Sequence, residues 1–183
     1  NVFGPRQDPG GEAGVIAIFA GRLLAGQTPV VFGDGLQTRD YTFVGDIVAA
    51  NLAAAEHPTA HGAYNIGTGV ESSVIEVLDA LREAAGVEAD AFQPEFRDAR
   101  LGELQRSSLD VSRARDELGF TAGTPLVDGM RAVLDAHVVD HVILALVILG
   151  AALAIFGEVM QLANQNAADA RAEGVDDRQD RKS

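Results

Sequence analysis

The sequence predicts an α/β fold around a small, mostly parallel sheet, on three observations. Segments with apolar residues at helical spacing alternate with short strand-like runs, and glycines or prolines stand at the switches between them. The connections are long enough to hold crossover helices, which parallel strands require. A long uncharged stretch near the end then adds an apolar C-terminal helix to this unit.

The elements follow in order. Glu12 to Ala25 places Val15, Ile16, Phe19 and Leu23 on one helical face and ends at Gly26, a suitable C-terminal cap. Val30-Val31-Phe32 is a short strand entering the turn Gly33-Asp34-Gly35. Thr38 to Val44 alternates as a second strand. Asp46 is then expected to open the Ala-rich helix Ile47 to Glu56, which His57-Pro58 terminates.

Ala63 to Ile66 reads as a strand that Gly67-Thr68-Gly69 turns into the helix Val74 to Ala85. Ser73 and Glu76 have the spacing of a capping box, and Gly86 closes that helix. Ala91 to Phe96 reads as another strand, Arg97 to Arg106 as a polar loop, and Ser112 to Leu118 as a short helix ending at Gly119. Leu126 to His137 is the last helix of this unit.

A change of character at about residue 138 divides the chain into 1–137, an apolar helix over 138–160 and a polar, acidic tail over 161–183. Val142 to Gly157 is sixteen consecutive residues without a charge, or ~24 Å of helix at ~1.5 Å per residue. A membrane span usually takes roughly 17 to 25 residues, so the run fits a membrane anchor or a buried or dimer-forming helix. The flanking charges set no orientation.

Composition narrows the partners. With 183 residues and 47% apolar content, one domain with an appendage can bury a real core. A net charge of −13 disfavours nucleic acid and anionic lipid headgroups as general partners. Thirteen of the fourteen basic residues are Arg, which suits phosphate if they gather locally. The absence of Cys excludes disulfides, thiolate metal sites and cysteine nucleophiles. His137 and His141 have i, i+4 spacing, but no third metal ligand accompanies them.

Two strings carry a family likeness: Asn1-Val2-Phe3-Gly4-Pro5 at the start, and Gly33-Asp34-Gly35-Leu36-Gln37-Thr38-Arg39-Asp40-Tyr41-Thr42-Phe43. Together they resemble the extended short-chain dehydrogenase/reductase family, the NAD-dependent nucleotide-sugar epimerases and dehydratases. The resemblance covers residues 1 to about 137 and implies the substrate-binding, C-terminal part of a Rossmann-like enzyme. Asp8-Pro9 and Gly11-Glu12-Ala13-Gly14-Val15 look most like the shorter bacterial UDP-glucose 4-epimerases. Those enzymes interconvert UDP-glucose and UDP-galactose through transient oxidation by NAD; dTDP-glucose dehydratases and UDP-glucuronate decarboxylases share much of this part.

The resemblance assigns five substrate-binding residues. Arg39, on a strand after a Gly-rich turn, would contact the diphosphate, as would Arg100 in Arg100-Leu101-Gly102-Glu103, where Glu103 would reach the ribose. Leu101 stands where relatives have Pro. Phe32 would meet the uracil or thymine base, or else pack in the core, and Asn1 would bond the phosphate-sugar region. Tyr41, two residues past Arg39, can share its face of the strand as packing or as contact.

Other family features are absent. No Gly-x-Gly-x-x-Gly or Gly-x-x-Gly-x-x-Gly occurs, and neither Tyr41 nor Tyr64 has a Lys four residues on. With its first residue not Met, the chain is expected to be a fragment that binds a UDP- or dTDP-hexose without catalytic residues of its own. NAD belongs to the full-length family and is not expected on this chain alone, and the family's homodimer is expected only of the full-length protein. The competing expectation is a noncatalytic sugar-nucleotide-binding or membrane-associated protein. Either would be cytoplasmic, with or without membrane attachment through 138–160.

Overall fold

The computed structural model describes residues 1–10 and 14–179, and the side chains of these except at 141, 162–164 and 166–179. It divides into two units, Asn1–His137 and Val138–Ser183. In the first, short strands alternate with helices: β1 (Val2–Phe3), α1 (Val15–Leu24), β2 (Val30–Phe32), β3 (Thr38–Arg39), β4 (Thr42–Phe43) and α2 (Val44–Glu56). There follow β5 (Ser72–Ser73), α3 (Val74–Ala85), a 3-10 turn (Ala89–Phe92), β6 (Glu95–Arg97), β7 (Arg106–Ser107) and α4 (Ser112–Leu118). The last helix, α5 (Leu126–Gln179), begins in this unit.

The strands form three small sheets among the described residues rather than one. β1 pairs with β4 and β2 with β6, both in parallel, while β3 lies between antiparallel β5 and parallel β7. Thr38 to Val44 is therefore two strands, broken at Asp40 and Tyr41. Phe3, α1 (Ile16, Phe19, Ala20), Val31, α3 (Val77, Leu78, Leu81), Phe92 and α5 (Met130, Val133, Leu134) share one buried core. Each large side chain there contributes about 1.5–3 kcal/mol by leaving water.

Local chemistry sets several boundaries. The Ser73 hydroxyl accepts the Glu76 N–H at 3.1 Å, and the Glu76 carboxylate accepts the Ser73 N–H at 2.6 Å, completing the expected capping box of α3. Gly86 ends the helix with φ +64°, a conformation that costs glycine little. The expected start of α1 at Glu12 lies outside the described residues.

Other boundaries move for tertiary reasons. Helix α2 begins at Val44 after Phe43, and Asp46 does not cap it. The Asp46 carboxylate instead accepts the Thr124 N–H (3.2 Å) and hydroxyl (3.0 Å). The strand expected at Ala63–Ile66 does not form. Its groups turn to α4 and the chain before it: the Asn65 amide donates to the Asp110 carbonyl at 3.1 Å, and Arg113 donates to the Ala63 carbonyl at 2.9 Å. Of the strand expected at Ala91–Phe96 only the end forms, as β6 from Glu95, while its start belongs to the 3-10 turn. The polar segment Arg97 to Arg106 begins and ends in strand residues. In the second unit α5 continues past His137, through the apolar run, to Gln179.

Candidate functional site

Pairing of β2 with β6 sets Phe32 opposite Arg97, and the Gly33 N–H donates to the Arg97 carbonyl at 2.9 Å. This edge, the start of the chain, α1 and the β3 region enclose a cavity of about 620 Å3. That size lies within the ~300–1,000 Å3 usual for small-molecule sites. Asn1, Phe32, Arg39, Arg100 and Glu103 all line it. The structure thus brings together residues separated by about a hundred positions.

The cavity is cationic and aromatic. Arg22 and Arg97 join Arg39 and Arg100 in its wall. Arg97 pairs with Glu95 at 2.9 Å, and Arg22 donates to the Thr28 carbonyl at 2.6 Å. Arg39 donates to the Thr38 carbonyl at 2.8 Å, and the Arg100 guanidinium lies 4.0 Å from the centroid of the Phe32 ring. Among the described residues neither Arg39 nor Arg100 forms an ion pair with a carboxylate. Both can serve an anionic ligand without first breaking one.

Gln37, Arg39 and Tyr41 all line the cavity, which is the period-two relation of an extended chain despite its break after Arg39. Tyr41 is buried, and burial pushes its phenol up to about 12; nearby Arg39 opposes the shift and Glu103 adds to it. Gln37 was missed as a site residue, although the alternation that relates Tyr41 to Arg39 reaches it too. Its buried amide donates to the Phe32 carbonyl at 3.1 Å, tying β2 to the approach to β3. Arg22 and Arg97 were missed as well, because only the fold brings them to this wall.

Asp40 faces the other way. Its buried carboxylate accepts the Thr68 N–H (3.0 Å) and hydroxyl (2.6 Å), the Gly69 N–H (3.0 Å) and the Thr42 hydroxyl (3.4 Å). Burial alone would raise its pKa, but these bonds, led by the Thr68 hydroxyl, outweigh burial and leave it below the usual carboxylate value. A Cβ on Gly67 would collide with this carboxylate, and Gly69 adopts φ +71°. Gly67-Thr68-Gly69 is therefore a nest for an internal anion.

That nest does not fit the pyrophosphate of NAD. The N–H groups of Thr68 and Gly69 already hold Asp40, whose charge would repel a phosphate. For a metal, no cluster of three or more His, Asp or Glu occurs among the described residues. The His141 side chain lies outside the described residues, so the His137–His141 spacing has no geometry to add.

The model of the NAD dependent epimerase/dehydratase family matches residues 1–67. A UDP-glucose 4-epimerase from Mycolicibacterium smegmatis is 49% identical over 130 residues, 71% of this chain and 41% of the relative. The structure of the Thermotoga maritima UDP-glucose 4-epimerase with UDP-glucose superposes with a TM-score of 0.67 at 39% identity, over 75% of this chain and 43% of that one. The Thermus thermophilus UDP-glucose 4-epimerase, solved with NAD, gives 0.61 at 39% identity over 74% and 43%. The chain spans about two-fifths of the length of these relatives, in their C-terminal part. The chain belongs to the NAD-dependent epimerase/dehydratase family, with the fold of the C-terminal part of an extended short-chain dehydrogenase/reductase.

Proposed function

We propose that residues 1–137 bind a nucleotide sugar, a UDP- or dTDP-hexose, in the cavity beside Phe32. One observation carries this reading: four guanidinia meet an aromatic ring around one cavity in a protein of net charge −13. A diphosphate supplies the counter-charge that Arg39 and Arg100 lack, with those two as its donors. The Phe32 ring offers a flat surface to the base, Glu103 an acceptor for the ribose hydroxyls, and Asn1 a polar contact for the phosphate-sugar region.

In a whole protein the same site would serve C4 epimerisation of UDP-glucose and UDP-galactose, with NAD supplying the redox chemistry when bound. The Gly67-Thr68-Gly69 turn holds Asp40 in place of a pyrophosphate, and the role proposed for this chain is to bind and orient the substrate. Dehydration of dTDP-glucose and decarboxylation of UDP-glucuronate use the same kind of ligand and are the alternatives within the family. A noncatalytic sugar-nucleotide-binding or membrane-associated protein is the second reading. Each of these readings is compatible with a cytoplasmic protein, with or without membrane attachment through 138–160.

Titration calorimetry of the full chain with UDP, UDP-glucose and dTDP tests the proposal. Binding of at least one of them, weakened in Arg39→Ala, is the expected result. No heat with any of the three, from a chain shown by circular dichroism to be folded, would sink it.

A further inference from the structure

The second unit carries a surface that the nucleotide-sugar reading does not use. From Val138 to Met160, fourteen large apolar side chains on α5 are 46–63% exposed. At ~100° per residue, Ile143, Leu144, Leu146, Val147, Ile148 and Leu149 are spread around every face of the helix. The most apolar window of this helix is 0% buried within the chain.

The lack of a polar face decides between occupants. A helix made for a second copy or another helix buries a stripe and keeps its opposite side polar. Pairing this segment would leave most of its apolar surface in water. A bilayer covers all faces at once, and the helix satisfies its own backbone hydrogen bonds there.

Length agrees. Residues 142–157 give ~24 Å and residues 138–160 give ~34 Å of helix, bracketing a hydrocarbon core ~30 Å thick. Asp140 and Glu158 then fall near the two ends, at the depth of the headgroups. We propose that residues 138–160 insert into a lipid bilayer as a single helix and anchor the protein to a membrane. This inference is independent of what the cavity binds.

The test uses the full chain, reconstituted with phosphatidylcholine–phosphatidylglycerol vesicles and floated on a density gradient, then washed with high salt and alkaline carbonate. The protein should float with the lipid and resist both washes. The double variant Leu146→Arg/Leu149→Arg should float on the order of tenfold less, while circular dichroism still reports its helices. If the double variant fails to fold, the unsubstituted chain decides alone. A chain that stays monodisperse without detergent or lipid, in any stoichiometry, overturns the proposal. So does one that pellets without floating, or that carbonate releases.

Discussion

The carboxylate of Asp40 holds Thr68 at two points, accepting its backbone N–H at 3.0 Å and its hydroxyl at 2.6 Å. A single acid thereby fastens the Gly67–Gly69 turn to the bend between Arg39 and Tyr41, both of which line the cavity. Asn at position 40 would offer the turn one acceptor and a misplaced donor. Asp40→Asn is expected to lower stability by about 2–3 kcal/mol at neutral pH, read from urea unfolding. The folded-state pKa of Asp40 is depressed, so its contribution is full above the unfolded value of about 4 and is lost as pH falls through the folded value. The gap between the two proteins should therefore close on acidification. Equal stability at neutral pH would contradict the role given to Asp40.

Ligand binding should separate the cations from the ring. Arg39→Ala and Arg100→Ala are each expected to weaken UDP by about tenfold or more, since a charge-assisted hydrogen bond contributes ~1.5–3 kcal/mol. Phe32→Leu should weaken UDP but leave pyrophosphate unchanged. Calorimetry with both ligands checks this, and equal losses for the two in Phe32→Leu would remove the base from that ring.

Tyr41 should titrate late. In a Tyr64→Phe protein the remaining phenol is expected to ionise near 12, followed by its ultraviolet absorbance. Because burial raises this pKa, the folded protein keeps a proton that the unfolded chain releases near 10. Stability should fall as pH climbs from about 10 towards 12. An ordinary midpoint would mean that water reaches the hydroxyl.

Glu71 accepts a two-point bond from Arg106, 2.9 Å on each side, and another from the Thr38 hydroxyl. Arg106 leads the causes that bring its carboxyl down to about 2. Whatever stability this link adds across β3 and β7 is present above the usual carboxylate range and disappears as pH approaches 2. Carboxyl NMR titration should find the low midpoint, and Arg106→Ala should move it upward.

Short-range chemistry was the legible part of this fold. Ser73 and Glu76 sit three residues apart and cap α3 as their spacing requires, and Gly26, Gly86 and Gly119 stand where α1, α3 and α4 end. What the sequence hid depends on distant partners. Asp46 looks like a helix cap until Thr124, seventy-eight residues on, takes its carboxylate. Ala63–Ile66 has strand composition, yet Tyr64 packs under Arg113 at 4.5 Å and donates to Glu117 at 3.0 Å, so α4 claims the segment. In the cavity, motifs led to Arg39 and Arg100, whereas Arg22 and Arg97 lie in stretches with no local pattern to mark them.

The contact between Arg100 and Phe32 also bears on how a ligand binds. The guanidinium sits over the ring and closes that face to a nucleobase. Docking of the base on that face therefore requires Arg100 to swing aside, and a diphosphate gives it somewhere to go. In the proposed binding mode nucleobase and phosphate capture are coupled through Arg100, so a free nucleoside, which offers the displaced cation no counter-charge, should bind more weakly than its diphosphate.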